Sequence, residues 1–479
     1  MNATSTVIVP RDATDAARWM ETRMRRRMLA GLWESDISRR LNERLTPGRI
    51  CNLGRPMQSL NLFASTVRQL AVQYDAPPTV TNPALLEAAG LVWQNIVEKS
   101  HLWNILQQNS ENVIGLRESF IQVEWTDGGL RLVSVTADTV TTESAPNDPD
   151  RILVMRVARA YKINGRSVPA FAVWDVRNQA APVFRVEDAE GGDISRQVIP
   201  DPQPWPYYIP GTATAELPLG TPFLPFVKYR AQDTSEPWDA YAMAELVHAA
   251  LDVAILWTAW GKVVLDASWA QRWVIDLMLA GLSVANAGSA GATATVEADP
   301  TSILVFNTKG GGASGQVGQF ATPADPAQLA SAVQTFQASV LSNIGIHPSD
   351  IEAGAGPQSG VAIQLKRSSQ RRLAMRMIPQ FRAGDTELFS KMAMIYNIFS
   401  PDGSPEIPVV GWEIAYHLPD ATVEEFITEL DRDERMVRLG FMSKVDLMMK
   451  YRPELNREQA IIKLGEIIRD NMLYPMVAG

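Results

Sequence analysis

The stretch IGIHPSDIEAGAGPQSGVAIQLKRSSQRRLAMRM, residues 344–377, divides into a turn-rich first half and a helical second half. In the first half Pro348 and Ser349 supply turn chemistry, while Gly354, Gly356 and Pro357 oppose both helix and strand. The pattern therefore predicts a loop that leads directly into a long helix.

The second half of the stretch predicts a basic helix. Ser359 can cap a helix that begins near Gly360, because its hydroxyl can accept a hydrogen bond from a free amide of the first turn. The positive residues of the helix are Lys366, Arg367, Arg371, Arg372 and Arg376. At about 100° per residue they fall in several sectors, which favours a helix contacted on several sides over a single DNA-facing stripe.

Further along the same helix, Pro379 removes one backbone donor and crowds the carbonyl of Met375, so a kink or break is expected there. A core-facing spacing then resumes at Leu388, Met392, Ile395 and Phe399.

The segment before residue 110 is predicted to be helical. Residues 11–45 have few helix breakers and begin with Asp12 or Thr14 as a start signal, and further helices are expected at 57–73 and 82–109.

An arginine cluster lies in the first of these helices, at Arg23, Arg25, Arg26 and Arg27. It could bind an anionic partner, but we favour a solvated helix face paired with acids such as Glu21 and Glu34.

The middle of the chain alternates between strands and helices. Residues 113–208 contain short β-branched runs separated by turn sequences, which predicts an antiparallel β region. A proline-rich connection follows at 200–226, and helix returns at 236–267. A mixed segment at 268–322 precedes a helix at 323–345, which starts at Asp325 with Pro326 in its first turn.

Two late helices are marked by capping-box spacing. Ser443 with Asp446, and Asn456 with Gln459, place a helix start before each apolar run.

Composition limits the class of protein. The chain has 479 residues, of which 46% are hydrophobic, so a substantial core and two to four domains are possible. The formal net charge of -9 and the pI of about 5.2 argue against a globally basic coat for nucleic acid. The single cysteine, Cys51, excludes an intrachain disulfide and is typical of a reducing compartment, and no export signal is expected.

The most apolar stretch, residues 243–265, is long enough to span a bilayer. It also carries Glu245, His248, Asp252 and Lys262, which favours a packed helix, and no membrane partner is expected.

The sequence contains few candidate catalytic or metal-binding motifs. The four histidines, His101, His248, His347 and His417, have no metal-ligand spacing, and KGGGASG at 309–315 lacks the Lys-Ser/Thr that follows a phosphate loop. We therefore expect no metal, no cofactor and no catalytic residue, and interpret 309–315 as a flexible turn. An enzyme whose pocket is not visible in the sequence stays an alternative.

The order of elements resembles the portal proteins of tailed bacteriophages, the head-to-tail connector rings whose family includes gene-transfer-agent portals. The matching motifs are SGVAI after the Gly/Pro loop, TPFLPFVKYR before PWDAYAMAELVHAALDVAI, and GFMSKVDLMMKYRPELNREQAIIKLGEIIRDN. The resemblance covers roughly residues 60 to 475, and its strength comes from the order and spacing of the motifs.

The resemblance implies an α+β, mainly helical fold with wing, stem, clip and crown regions and an antiparallel β region inserted in the wing. Residues 1–235 would form the wing, 236–267 and 323–345 the two stem helices, and 268–322 the clip between them. Residues 346–359 would be the tunnel loop, 360–414 the long helix with the wing closure, and 415–479 the helical crown.

The resemblance also implies a function without catalysis. Portal proteins form a homo-oligomeric ring, usually of twelve copies, at one capsid vertex of the virion, where double-stranded DNA is packaged, retained and ejected. The terminase large subunit and later the head-to-tail adaptor dock on the ring, which also meets the major capsid and scaffolding proteins during assembly in the host cytoplasm. Another ring-forming virion component, such as an adaptor, is the alternative.

On this mapping the tunnel loop faces DNA. Its named residues are His347, Ser349, Asp350, Glu352, Gly354, Gly356 and Gln358. Weak neutral contacts would let DNA slide, and the two acids would oppose tight phosphate binding. The basic residues Lys366, Arg367, Arg371, Arg372 and Arg376 would contact DNA or neighbouring subunits, and we favour ion pairs between subunits slightly.

Overall fold

The computed structural model describes residues 12–44, 56–58, 60–126, 129–163, 165–199, 204–209, 220–234, 238–239, 243–268, 271–275, 303–306, 316–320, 325–346, 360–417, 423–451 and 457–473. The fold combines helices with antiparallel sheets, so the predicted α+β class is confirmed. The chain divides into two compact units, one made of residues 1–358 and 365–418 and the other of 359–364 and 419–479.

The N-terminal segment forms two helices, α1 (Ala13–Leu29) and α2 (Glu34–Arg44). Asp12 caps α1 as expected, since its side chain accepts from the backbone N–H of Thr14. The single helix predicted over 11–45 is wrong. Gly31 adopts a φ of 72°, which turns the chain and buries Trp33 beside the end of α1.

The next helices are α3 (Leu62–Leu70), α4 (Glu87–Lys99) and α5 (Leu102–Leu116), with the short strand β1 (Thr79–Thr81) before α4. The single helix predicted over 82–109 is therefore divided. His101 takes a left-handed φ of 51° between the two helices. Although histidine is enriched in this conformation, only a few per cent of non-glycine residues adopt it, so the sequence did not single out this position.

The predicted antiparallel β region is confirmed. Its strands are β2 (Glu118–Thr126), β3 (Gly129–Thr136), β4 (Val140–Ala145), β5 (Asp148–Ile163), β6 (Arg166–Asp175) and β7 (Val183–Glu187). A one-turn helix, α6 (Ser195–Val198), and the strand β8 (Phe226–Arg230) follow. The region begins later than predicted, because α5 continues to Leu116.

The strands form two antiparallel sheets, ordered β3-β2-β8 and β4-β5-β6-β7. β8 pairs with β2 across more than 100 residues of sequence, from Glu118 opposite Arg230 to Gln122 opposite Phe226. This long-range pairing brings the segment after the proline-rich connection back into the β region.

Two further helices precede and follow a small mixed sheet in the chain. Helix α7 (Ala244–Ser268) is followed by β9 (Gln271–Ile275), β10 (Ile303–Phe306) and β11 (Gln316–Phe320), and then by α8 (Pro326–Asn343). β9 is central, parallel to β10 and antiparallel to β11. The mixed character predicted for 268–322 is confirmed by the strands that the structure describes, whereas the turn predicted at 309–315 lies outside the described residues.

In the described part of the chain, one segment, Ala244–Leu265 of α7, is long and apolar enough to cross a membrane by length and composition. Its residues Leu246, Val247 and Ala254 are fully buried in an apolar core with α2 and α3. Asp252 of the same helix pairs with Arg44, at 2.9 Å. This is the packed helix that the sequence predicts.

The long helix α9 (Gly360–Phe399) contains Pro379. Of the kink or break expected at this proline, the break does not occur, because the helix continues to Phe399. Pro379 and Met375 both lie on the exposed side of the helix, where water can satisfy the carbonyl that the proline leaves free. On the opposite side Leu388, Met392 and Ile395 are fully buried, as their spacing predicts.

A short strand, β12 (Glu413–Ala415), pairs antiparallel with β1. The second compact unit contains α10 (Val423–Arg438), α11 (Lys444–Tyr451) and α12 (Arg457–Leu473). The capping box predicted at α11 is confirmed: the backbone N–H of Asp446 donates to Ser443 Oγ at 3.0 Å, and the N–H of Ser443 donates to Asp446 Oδ2 at 3.1 Å.

Candidate functional site

The predicted tunnel loop follows helix α8 and precedes helix α9, and the predicted cap Ser359 lies outside the described residues. Helix α8 closes in a Schellman-type turn, in which the N–H of Ile346 donates to the carbonyl of Leu341 at 2.9 Å and Gly345 has a φ of 79°. Leu341 and Ile346 are both buried in the core that contains α7. The named loop residues His347, Ser349, Asp350, Glu352, Gly354, Gly356 and Gln358 lie outside the described residues.

Helices α7 and α8 pack against each other. Near the end of α7 the indole N–H of Trp260 donates to the carbonyl of Pro326, at the start of α8, at 2.9 Å. This contact means that α8 runs back along α7 after the small mixed sheet.

Helix α8 has an unusual surface. None of its 18 residues is charged, yet only Val333 and Leu341 are buried. Leu329 and Phe336 are 36% and 38% exposed. A water-facing helix normally carries charged residues on its outer face, so this surface is suited to contact with another molecule.

Neighbouring helices also expose apolar side chains. Leu256 and Leu265 of α7 are 42% and 54% exposed, and Met375 of α9 is 49% exposed. The exposed apolar residues of α7, α8 and α9 are therefore not confined to one helix.

The basic helix predicted from the sequence is the first part of α9. Lys366, Arg367 and Arg371 belong to this helix, and their side chains are outside the described part of the structure. Arg372 and Arg376 are exposed and four residues apart, so they share one face of the helix. Among the described residues neither of these two arginines has an ion-pair partner.

The arginines of the α1 cluster form ion pairs within the chain. Arg25 is buried and its Nε lies 2.9 Å from Glu21, Arg27 pairs with Asp36 at 2.6 Å, and Arg26 pairs with Asp138 at 3.2 Å. The favoured pairing with nearby acids is thus confirmed, including Glu21. The expectation of a solvated face is wrong for Arg25, whose side chain is 1% exposed, whereas the side chains of Arg26 and Arg27 are 55% and 39% exposed.

A buried carboxylate in α9 was missed by sequence reasoning. Asp385 is fully buried and accepts hydrogen bonds from the hydroxyls of Tyr74 at 2.9 Å, Tyr229 at 2.8 Å and Tyr416 at 2.5 Å. Burial raises the pKa of Asp385 to about 6, and the donating hydroxyls limit that rise. Its position between Phe381 and Leu388 on the core-facing stripe was the available signal.

A second missed cluster holds the segment before α7. The guanidinium of Arg18 lies 3.6 Å from the ring centre of Trp238, and the Lys228 ammonium lies 5.5 Å from it. The backbone N–H of Asp239 donates to buried Glu118, and burial lowers the pKa of Lys228 to about 8. Residues from α1, β2 and β8 therefore fix the lead into α7.

Within the described residues no group of three or more His, Cys, Asp or Glu side chains could hold a metal ion. His417 contacts Thr79 through its Nε2 at 2.6 Å.

No protein-family model and no curated protein matches the chain. Among solved structures, it is similar to a chain of the neck of an empty GTA particle computed with C6 symmetry, with 13% identity and a TM-score of 0.42 over 84% of this chain and 98% of that chain. It is also similar to a chain of the virion of a native gene transfer agent (GTA) particle, with 13% identity and a TM-score of 0.39 over 83% and 96% of the two chains. Both similarities extend over most of each chain at low sequence identity.

Proposed function

We propose that this chain is the subunit of a portal ring at a unique capsid vertex. The ring would form the conduit for packaging, retention and ejection of double-stranded DNA. It would also be the docking platform for the terminase large subunit and the head-to-tail adaptor. The subunit itself would have no catalytic activity.

The observation that carries the proposal is the exposed, uncharged surface of α8. Leu329 and Phe336 are partly exposed in the single chain, and the helix has no charge to compensate for that exposure. Burying a fully exposed leucine side chain is worth about 1.5–3 kcal/mol, so covering the 36% of Leu329 that is exposed contributes roughly a third of that value. Contact with another copy would therefore stabilise both molecules.

The spread of exposed apolar residues supports a ring in particular. Each subunit of a ring contacts two neighbours through different surfaces, in a head-to-tail interface that closes on itself. Exposed apolar groups lie on three helices, at Leu265 of α7, Phe336 of α8 and Met375 of α9. A symmetric dimer would need only one such patch, because both subunits use the same surface.

The uncharged helix also suits a DNA channel. Each lysine or arginine that neutralises a phosphate raises the affinity for DNA and slows its movement. A stem with an uncharged α8, followed by the glycine-rich loop at 347–359, would limit such contacts. Arg372 and Arg376 would form ion pairs with a neighbouring subunit.

A matched pair of substitutions tests the ring. Leu329→Asp places a charge on the exposed face of α8, and Leu91→Asp makes the same change at a 65% exposed leucine of α4. We expect the wild-type chain and Leu91→Asp to form rings, observed by negative-stain imaging and mass measurement. Leu329→Asp should weaken each subunit contact by at least about tenfold, because burying a charge there is costly.

The proposal is wrong if the wild-type chain is monomeric under all conditions tested and shows no ring. Rings formed by Leu329→Asp as readily as by the wild type would instead exclude α8 as the contact surface.

A further inference from the structure

Strands from both antiparallel sheets of the β region line an open surface cavity of about 380 Å³. Its walls come from α1, β2, β3, the turn at 137–139 and β5. Arg26, Arg131 and Arg159 line it together with a single acid, Glu124. The cavity is thus a positively charged feature on a chain whose net charge is -9.

The three arginines differ in whether their guanidinium already forms an ion pair with a carboxylate. Arg26 pairs with Asp138 at 3.2 Å, and Arg159 lies 3.4 Å from Glu124. Arg131 stands opposite Glu124 in the β2–β3 register but is exposed and has no ion pair among the described residues. Each guanidinium carries five N–H donors, so donors remain available, above all on Arg131.

Strand β3 adds a second recognition element. In the described part of the chain it pairs only with β2, so it is the outer strand of its sheet. Along its free edge a row of backbone N–H and C=O groups has no strand partner. Residues 133–136 of this strand line the cavity beside the arginines.

We propose that this cavity and the β3 edge bind an extended acidic segment of a partner protein. The segment would add as a strand beside β3, and its carboxylates would pair with Arg131 and with the free donors of Arg26 and Arg159. The site belongs to a single chain, so it is independent of ring assembly.

A peptide fits this site better than a nucleic acid. A strand edge offers alternating donors and acceptors, which only a peptide backbone matches in spacing. Glu124 in the wall and Asp138 beside Arg26 would repel a row of phosphates, whereas a peptide can place single carboxylates between them. A volume of 380 Å³ holds a few side chains, not a duplex.

The test uses the full-length chain and a fluorescent peptide that alternates glutamate with valine. Anisotropy should show binding that weakens as salt is added, because the contacts are ionic. Arg131→Gln should reduce affinity about tenfold, the value of one charge-assisted pair. The control Arg166→Gln, at an exposed arginine of β6 outside the cavity, should leave affinity unchanged.

Further probes separate strand addition from charge attraction alone. Hydrogen exchange should slow in residues 129–136 when the peptide binds, and a peptide N-methylated at alternate positions should bind at least tenfold more weakly. A glutamine version of the peptide should not bind.

Three results would overturn the proposal: equal binding by wild type and Arg131→Gln, binding without protection of residues 129–136, or Arg131-dependent binding of a short DNA duplex in preference to the peptide.

Discussion

Asp385 joins α9 to three distant parts of the chain, because Tyr74, Tyr229 and Tyr416 all donate to its carboxylate. No cation lies within ion-pair distance of it among the described residues, although Arg382 and Glu387 act electrostatically on Tyr416 and Tyr229. The carboxylate therefore depends on tyrosine hydroxyls to offset the cost of burial. This arrangement makes the stability of the fold sensitive to pH.

Burial raises the pKa of Asp385 from 3.8 to about 6. Because the folded state holds the proton more tightly than the unfolded state, the stabilisation is fully present below pH 3.8 and is lost as the pH rises through about 6. We therefore expect the free energy of unfolding of the wild type, relative to Asp385→Asn, to fall by about 2 kcal/mol between pH 4 and pH 7.

Urea unfolding of both proteins at the two pH values measures this difference. Asp402→Asn, at an exposed aspartate, is the control, and its difference from the wild type should change little. A difference for Asp385→Asn that is constant or grows with pH would show that the carboxyl is not held as described.

At the scale of elements, α9 shows how packing decides the behaviour of residues that usually disturb helices. Pro379 is tolerated because it faces water. Gly384 is required because its face lies against the buried ring of Tyr229, where an added Cβ would be 2.7 Å from Cε1. The same helix therefore accepts one poor helix former and depends on another.

Gly384→Ala should destabilise the protein by about 1–3 kcal/mol, since the ring of Tyr229 is enclosed and cannot move away without disturbing the core. Alanine is the better helix former by about 1 kcal/mol, so propensity alone predicts the opposite sign. Gly90→Ala in α4 is the matched control, because the nearest atom to its added Cβ is 4.0 Å away.

Thermal or urea unfolding of the two variants shows directly whether each substitution stabilises or destabilises the protein. Gly90→Ala should be neutral or more stable than the wild type. If Gly384→Ala were also more stable, the close approach of α9 to β8 would be wrong.

At the scale of the whole molecule, the proposed ring assigns separate tasks to neighbouring parts of the chain. Helices α7 and α8 would provide subunit contacts, and the loop between α8 and α9 would meet DNA. The loop carries no lysine or arginine. Its proposed role therefore rests on the absence of basic side chains and on its small residues.

Deletion of residues 354–358 should leave ring assembly intact and impair packaging or retention of DNA. Ring formation is measured by negative-stain imaging, and retention by the nuclease-protected DNA in particles that carry the variant. Replacement of the same five residues by glycine and serine is the control and should preserve retention, because the length of the segment is kept and no basic residue is added.

Loss of the ring on deletion would show that the segment is structural. Intact rings with normal DNA retention would favour another ring-forming component, such as an adaptor.

The sequence alone determined the elements whose signals are local. Asp12 and Asp325 cap their helices, Ser443 and Asp446 form the predicted box, and the alternating runs become antiparallel strands. Caps, turns and periodic apolar residues act within a few positions of each other, so they can be recognised without the fold. The neutral composition of α8 was likewise visible in the sequence.

The tertiary structure decided which distant residues meet. Asp385 with its three tyrosines, β8 beside β2, and the cavity of Arg26, Arg131 and Arg159 all join segments far apart in the chain. It also decided that the chain turns at Gly31 and His101 and continues through Pro379. The physical reason is that burial and pairing across the core outweigh local conformational preferences of about 1 kcal/mol per residue. The sequence alone does not show which face of an element will be buried or which other element will pack on it.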